Sequence, residues 1–208
     1  MDTIPKNYLA LGDSYTIGES VTVSERFPVQ TVEMLRNKDM LINNADIIAT
    51  TGWTTHDLIN ALNVPPPLPV YDIVTLLIGV NNQYQGKKID DYQKEFSELL
   101  LHAIQLAGGN ARHVIVLSIP DYSVTPFASS SDKNKIAKEI DEFNAVNKII
   151  TLKNDVNYID ITAISREVPN EHSLVANDGL HPSPTQYTRW SDLLSKMIIT
   201  IFTNETGD

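Results

Sequence analysis

Five short apolar segments alternate along the chain with longer segments that have a helical pattern of apolar and polar residues. Three of the apolar segments are nearly continuous in isoleucine, leucine and valine, which is typical of parallel strands covered on both faces. The predicted strands are Tyr8–Gly12, Leu41–Thr50, Tyr71–Gly79, His113–Ile119 and Val156–Ile161.

The segments between the strands favour helices. In residues 90–107 the apolar side chains recur at steps of three and four, which places them in one stripe of an amphipathic helix. The predicted helices are about Glu25–Asn37, Thr55–Leu62, Asp90–Ala107, Asp132–Leu152 and Pro184–Phe202. Strands that alternate with helices in this way predict an α/β fold, in which a five-stranded parallel sheet carries helices on both faces.

The length and composition favour one domain. A chain of 208 residues is long enough for one well-packed domain and short for two. It has no internal repeat, no low-complexity tract and no change of composition that marks a boundary. Residues 1–208 are therefore predicted to form a single domain.

The charge and the residue types exclude several classes of protein. The chain has 16 basic and 26 acidic residues, a net charge of −10, which argues against a nucleic-acid binder because such proteins need a basic surface. The absence of cysteine excludes disulfides, thiolate zinc sites and cysteine nucleophiles. No two histidines have the close spacing of a zinc site, so no metal is expected.

No segment of the sequence predicts a membrane span. A spanning helix needs roughly 20 apolar residues, and the longest apolar run, IVTLLIGV, is about half that length. The first residues lack the basic and long apolar regions of a signal peptide. We expect the chain as given to be cytoplasmic, or secreted or periplasmic if a signal peptide has been trimmed. Its oligomeric state is left open.

Residues with reactive or hydrogen-bonding groups follow the predicted strands at their carboxyl ends. Ser14 comes after the first strand, Gly52 after the second and Asn81 after the third. Asp178 and His181 lie in the loop before the last helix. Ligands of open parallel sheets bind outside the carboxyl ends of the strands. We therefore expect these five residues to meet at one edge of the sheet.

The segment NDGLHPS, residues 177–183, contains an acid and a base that suit a serine nucleophile. A serine hydroxyl attacks when a neighbouring base accepts its proton, and an acid must fix the orientation of that base. The three-residue spacing lets Asp178 accept a hydrogen bond from His181 Nδ1, which would present Nε2 to Ser14. The following SPTQ predicts a helix start with Pro184 in the first position, which would hold the loop still.

Attack on an ester also places negative charge on the carbonyl oxygen, and preorganised donors must stabilise it. The candidates for this oxyanion hole are the backbone N–H groups of Ser14 and Gly52 and the side-chain amide of Asn81. Glycine at position 52 lets a substrate approach the main chain closely, because no Cβ is in the way.

Four blocks of the sequence, GDSYT, TTGWTT, IGVNN and DGLHPS, together resemble the GDSL-type, or SGNH, hydrolase family of esterases and lysophospholipases. The family's blocks contribute serine, glycine, asparagine and histidine in this order. The resemblance covers residues 12–182. It implies that Ser14 is the nucleophile and first oxyanion donor, that Gly52 and Asn81 are the other donors, and that Asp178 and His181 are the acid and base.

The resemblance also implies a three-layer α/β/α sandwich with a flavodoxin-like sheet of five parallel strands. Two positions depart from the family pattern. The third block has Asn82 where the family has aspartate, which puts in doubt the charged support that this residue gives to the loop. The first block has Tyr15 where the family name has leucine, and the Gly-Asp-Ser core is intact.

Aromatic residues next to these blocks are candidates for contacts with the substrate. Trp53 adjoins Gly52, and Tyr122 and Phe127 lie in the long segment after the fourth strand. Tyr122 and Phe127 would give the site an apolar wall. The alternative for Phe127 is that it only caps the core under a long loop.

These residues predict a serine esterase that cleaves carboxylic esters in two acyl-transfer steps without a cofactor. The family resemblance leaves a lysophospholipid, an acyl-CoA thioester and an acetylated sugar as alternative substrates. The alternative from another class is a non-catalytic, flavodoxin-like module that binds a flavin or a nucleotide. The glycine-rich phosphate loops of such modules are missing from the sequence.

Overall fold

The computed structural model describes residues 4–205, and the ends of the predicted domain, residues 1–3 and 206–208, lie outside the described residues. Five parallel strands form one sheet in the order β2-β1-β3-β4-β5. The strands are β1 (Tyr8–Gly12), β2 (Asp46–Ala49), β3 (Ile73–Leu77), β4 (Val114–Leu117) and β5 (Asn157–Ile159). The predicted five-stranded parallel sheet is confirmed.

The helices are α1 (Ser14–Ile17), α2 (Phe27–Arg36), α3 (Thr55–Ala61), α4 (Val80–Tyr84), α5 (Ile89–Leu106), α6 (Lys133–Lys153), α7 (Thr162–Ser165) and α8 (Pro184–Glu205). Five of them form two packed groups: α2 packs against α8, whereas α5 packs against both α3 and α6. Crossovers between parallel strands are right-handed, and the chain reverses direction along the sheet after β2, so the two groups cover opposite faces. The predicted α/β/α sandwich is confirmed.

The second strand is shorter than predicted, because polar side chains interrupt the segment. Asn43 donates a side-chain hydrogen bond of 2.8 Å to Asn7, and Asn44 accepts one of 2.9 Å from Arg36. Such local bonds of amide side chains compete with a strand ladder. Pairing with β1 therefore begins only at Asp46.

The long helices are amphipathic, and each buries one face. In α8 the buried side chains recur at steps of three and four from Tyr187 through Trp190 and Leu194. Among residues 4–205, no helix has both the length and the apolar character that crossing a membrane requires.

The strand order brings the carboxyl ends of β1 and β3 side by side. The chain moves from β1 to one neighbour and later returns to the other, and such a switch point opens a crevice at the carboxyl edge. Below the crevice, Phe27, Tyr187 and Trp190 form a buried aromatic cluster. The Tyr187 hydroxyl donates a hydrogen bond of 3.0 Å to the Tyr15 carbonyl, which ties α8 to the turn after β1.

Candidate active site

Ser14 is the first residue of α1, directly after β1, and lies at the switch point. Asp13 caps this short helix, because its Oδ1 accepts a hydrogen bond of 3.0 Å from the backbone N–H of Tyr15. Gly12 has no room for a side chain, since a Cβ there would lie 2.1 Å from Thr16 Oγ1 and 2.4 Å from the Leu77 carbonyl. Close packing therefore explains the glycine at position 12, and the helix cap explains the aspartate that follows it.

The loop before α8 places an acid against a base, as the sequence predicts. Asp178 Oδ2 lies 2.6 Å from His181 Nδ1. Asp178 Oδ1 accepts the backbone N–H groups of Leu180 at 2.9 Å and His181 at 3.0 Å. The Ser20 hydroxyl donates a further bond of 2.7 Å to Oδ2. Four hydrogen bonds thus fix the carboxylate that orients the imidazole.

These hydrogen bonds also set the charge of Asp178. Partial burial acts to raise the pKa of the carboxyl, but the bonds from Ser20, His181 and the two backbone N–H groups outweigh burial and hold the pKa below its ordinary value. Asp178 is therefore ionised at neutral pH. An ionised acceptor keeps the His181 proton on Nδ1 and leaves Nε2 available as a base.

Ser14 and His181 line the same cavity, which has a volume of about 160 Å³. The Tyr15 ring meets the His181 ring edge-on, with 5.6 Å between the ring centroids, and gives the imidazole a second support. Within residues 4–205 no hydrogen bond joins the Ser14 hydroxyl to the imidazole. Catalytic hydrogen bonds are often long in empty sites and shorten when substrate binds.

The three predicted oxyanion donors also meet at this cavity, which Ser14, Gly52 and Asn81 line together. Gly52 has a φ of +86°, a conformation that favours glycine. In the described part of the chain, the backbone N–H groups of Ser14 and Gly52 donate no intramolecular hydrogen bond. Asn81 Nδ2 donates one bond of 2.9 Å to the Trp53 carbonyl and keeps a second hydrogen.

Aromatic rings form one wall of the cavity. Tyr122 and Phe127 line it, and their ring centroids are 6.3 Å apart. Phe127 is 44% exposed, so it belongs to the wall and does not cap the core. The Trp53 ring is half-buried against the core and is not among the described side chains that line the cavity. The predicted substrate contact of Trp53 thus has no counterpart in this cavity. The Trp53 carbonyl is linked to the cavity, because it accepts the hydrogen bond from Asn81 Nδ2.

Two residues of this site are not predicted by the sequence. Ser20 holds the Asp178 carboxylate, and its φ of +66° is unusual for a serine. Tyr84 adds a third ring to the wall, 6.1 Å from the rings of both Tyr122 and Phe127. The hydroxyl-rich segment after Ser14 gave a weak signal for Ser20, whereas no pattern in the sequence marked Tyr84.

Asp13 is buried beside Ser14, and within residues 4–205 only one of its two carboxyl oxygens is hydrogen-bonded. Burial raises its pKa from 3.8 to about 7, against the smaller lowering effect of the bond from Tyr15. The folded state therefore holds this proton more tightly than the unfolded chain. The contribution of Asp13 to stability is complete below about pH 4 and is lost as the pH rises towards 7.

Asp13→Asn removes this titration and keeps the helix cap. Relative to the variant, the unaltered chain should lose a few kcal/mol of unfolding free energy between pH 4 and pH 8, since one pKa unit is about 1.4 kcal/mol. Urea unfolding at several pH values measures the difference. Asp155→Asn, at an exposed position, is the control for the loss of one carboxylate. A difference between Asp13→Asn and the unaltered chain that stays constant with pH would contradict the raised pKa.

The comparison with known families identifies the class of enzyme. Residues 10–189 match the model of the GDSL-like Lipase/Acylhydrolase family. The match spans most of the chain, and the protein belongs to this family. It is a hydrolase of ester bonds. In the described residues, no group of three or more histidine, aspartate or glutamate side chains could hold a metal ion.

Several solved structures share this fold. The acetylxylan esterase Axe2 from Geobacillus stearothermophilus has a TM-score of 0.72 at 20% identity, over 93% of this chain and 94% of that one. TesA has a TM-score of 0.74 at 15% identity, over 94% and 99%. A G-D-S-L family lipolytic protein from Veillonella parvula has a TM-score of 0.63 at 20% identity, over 95% and 98%. No curated protein sequence matches this chain.

Proposed function

We propose that the protein is a serine esterase in which Ser14 is the nucleophile, His181 the general base and Asp178 the orienting acid. One observation carries the proposal: the 2.6 Å contact between Asp178 and His181 Nδ1, beside a cavity that His181 shares with Ser14. A base held by an acid next to a serine is the arrangement that activates a hydroxyl for acyl transfer.

The reaction would proceed in two steps. His181 Nε2 takes the proton of Ser14 as the hydroxyl oxygen attacks the ester carbonyl, and a tetrahedral intermediate forms. The same nitrogen returns the proton to the leaving alcohol as the ester C–O bond breaks, which leaves an acyl group on Ser14. In the second step His181 takes a proton from water as the water oxygen attacks the acyl group, and it returns the proton to Ser14 as the acid leaves. No cofactor takes part.

The N–H groups of Ser14 and Gly52 and the second Nδ2 hydrogen of Asn81 would stabilise the oxyanion. All three belong to residues that line the cavity, and their hydrogens are available for a ligand. Donors that are fixed before the reaction act on the charge as it develops, without a cost for reorienting solvent.

A fluorophosphonate probe tests this assignment, because it reacts with an activated serine and with few other groups. We expect one adduct per chain, located by mass spectrometry on the peptide that contains Ser14. Protein unfolded in urea should not react, since the activation depends on the folded site. An adduct on another serine, or none, would contradict the proposal.

The cavity favours a short acyl group. Its volume is about 160 Å³, and the rings of Tyr84, Tyr122 and Phe127 close one side. A longer chain would have to displace these rings or leave the cavity for solvent, and in either case its extra methylenes gain little binding free energy. Axe2, which has a similar fold, is an acetylxylan esterase, and this agrees with a small acyl site.

We expect kcat/KM for p-nitrophenyl esters to fall about tenfold or more from acetate or butyrate to octanoate. Phe127→Ala opens the wall and should reduce this preference, while Phe202→Ala, at the far end of α8, should leave it unchanged. Equal or faster turnover of octanoate by the unaltered chain would contradict a short acyl site.

Three expectations from the sequence stay predictions. They are a lysophospholipid or acyl-CoA thioester as substrate, one domain over residues 1–208, and a cytoplasmic location.

A further inference from the structure

Asn82 is buried, and both polar atoms of its side chain bond to the first residue of α3. It stands where the family pattern has aspartate, and only 1% of its surface is exposed. Its Oδ1 accepts a hydrogen bond of 3.0 Å from the backbone N–H of Thr55, and its Nδ2 donates one of 2.6 Å to Thr55 Oγ1. Position 82 therefore acts as a donor towards the Thr55 hydroxyl, which a carboxylate could not do.

The Thr55 hydroxyl in turn donates a hydrogen bond to a carboxylate of α5. Thr55 Oγ1 donates to Glu95 Oε2, and Thr55 is fully buried. The Glu95 side chain is 28% exposed, and its other oxygen lies 3.7 Å from Nδ1 of the exposed His56. Asn82, Thr55 and Glu95 thus form a hydrogen-bond chain, in which Asn82 donates to Thr55 and Thr55 donates to Glu95.

This hydrogen-bond chain lies between two of the proposed oxyanion donors. Thr55 follows Gly52 by three residues, and Asn82 directly follows Asn81. The bond from Asn81 Nδ2 to the Trp53 carbonyl is a second link between the same two segments. The distance from Gly52 to the Asn81 amide therefore depends on how Asn82 and Thr55 are held together.

Aspartate at position 82 would compete with Glu95 for a single hydrogen. The Thr55 hydroxyl can donate only once, so one of the two carboxylates would lose this donor. A carboxylate at position 82 would keep the backbone N–H of Thr55, but its second oxygen would be buried without a donor, and burying a charged oxygen in this way is costly. Asparagine at position 82 and glutamate at position 95 are thus a matched pair.

We propose that Glu95 is a positioning residue for the oxyanion hole, and that it supplies, through Thr55, the carboxylate that the third block lacks. The effect on rate rests on the proposed function, because it presupposes that Gly52 and Asn81 stabilise the oxyanion. The pairing of position 82 with position 95 rests on the hydrogen bonds alone.

Variants that exchange the amide at position 82 and the carboxylate at position 95 test the proposal. In Asn82→Asp both carboxylates compete for Thr55, and we expect kcat to fall about tenfold or more, with KM changed much less, because misplaced donors act mainly in the transition state. In Glu95→Gln the amide oxygen still accepts from Thr55 more weakly, so kcat should fall only about threefold. In the double variant the new amide at position 95 donates to Thr55, and Thr55 donates to the new carboxylate at position 82.

The double variant should therefore regain activity, with kcat within about threefold of the unaltered chain, as expected for a strongly coupled pair. Glu98→Gln removes an exposed carboxylate of the same helix and is the matched control for charge. Combined with Asn82→Asp, it should restore nothing. A double variant as slow as Asn82→Asp alone, or single variants that change KM and leave kcat intact, would overturn the positioning role.

Thermal unfolding of the same variants separates this proposal from the proposed function. The midpoint of the double variant should lie above that of Asn82→Asp, and additive losses at the two positions would overturn the hydrogen-bond chain. Ester hydrolysis that Ser14→Ala does not affect would overturn the proposed function, and with it the effect of Glu95 on rate. The midpoints would still decide whether residues 82 and 95 are coupled.

Discussion

Ser14→Ala is expected to lower kcat/KM for p-nitrophenyl acetate by at least about 10⁴-fold, since the loss of a serine nucleophile removes the covalent path entirely. The fold should tolerate the change, because the hydroxyl donates no hydrogen bond within the described structure. Asp13 would still cap α1 through the backbone N–H of Tyr15. Steady-state kinetics, corrected for spontaneous hydrolysis of the ester, measure the effect.

Ser130→Ala is the control, because this serine is exposed and lies in the loop before α6. Its activity should equal that of the unaltered chain. The unfolding midpoints of both variants should stay close to the original value, which would separate a chemical loss from a loss of fold. Turnover by Ser14→Ala above one hundredth of the original rate would exclude Ser14 as the nucleophile.

Asp178→Asn is expected to lower kcat by about 10³- to 10⁴-fold, through the orientation and the tautomer of His181. The carboxylate accepts the Nδ1 proton at 2.6 Å, whereas an amide can place its own N–H there. The imidazole would then carry its proton on Nε2 and could not accept one from Ser14. The variant should keep its affinity for substrate, so KM should change much less than kcat.

Two further variants mark the limits of this effect. Ser20→Ala removes one of the four hydrogen bonds to the carboxylate and should slow the reaction only a fewfold, because His181 keeps its partner. Asp155→Asn, at an exposed site away from the cavity, should be neutral. An Asp178→Asn variant with nearly full activity would show that His181 does not need this acid.

The sequence predicted the parallel sheet well because strands covered on both faces must be apolar along their whole length. It predicted the long helices for a similar reason, since a helix on a sheet shows one apolar stripe. The boundaries were less accurate. The second strand starts five residues later than predicted, where the Asn43 and Asn44 side chains find partners outside the ladder. Partners that are distant in sequence leave no local pattern.

The candidate site also has features that the sequence predicted and features that it did not. The sequence alone determined the residue types of the candidate site, their order and the strand ends they follow, because parallel strands bring their carboxyl ends to one edge. Only the tertiary structure decided that Phe127 forms a wall, that Trp53 packs against the core, and that Glu95 reaches Asn82 through Thr55. These contacts depend on how the helices pack over the sheet, and packing joins side chains that no spacing along the chain relates.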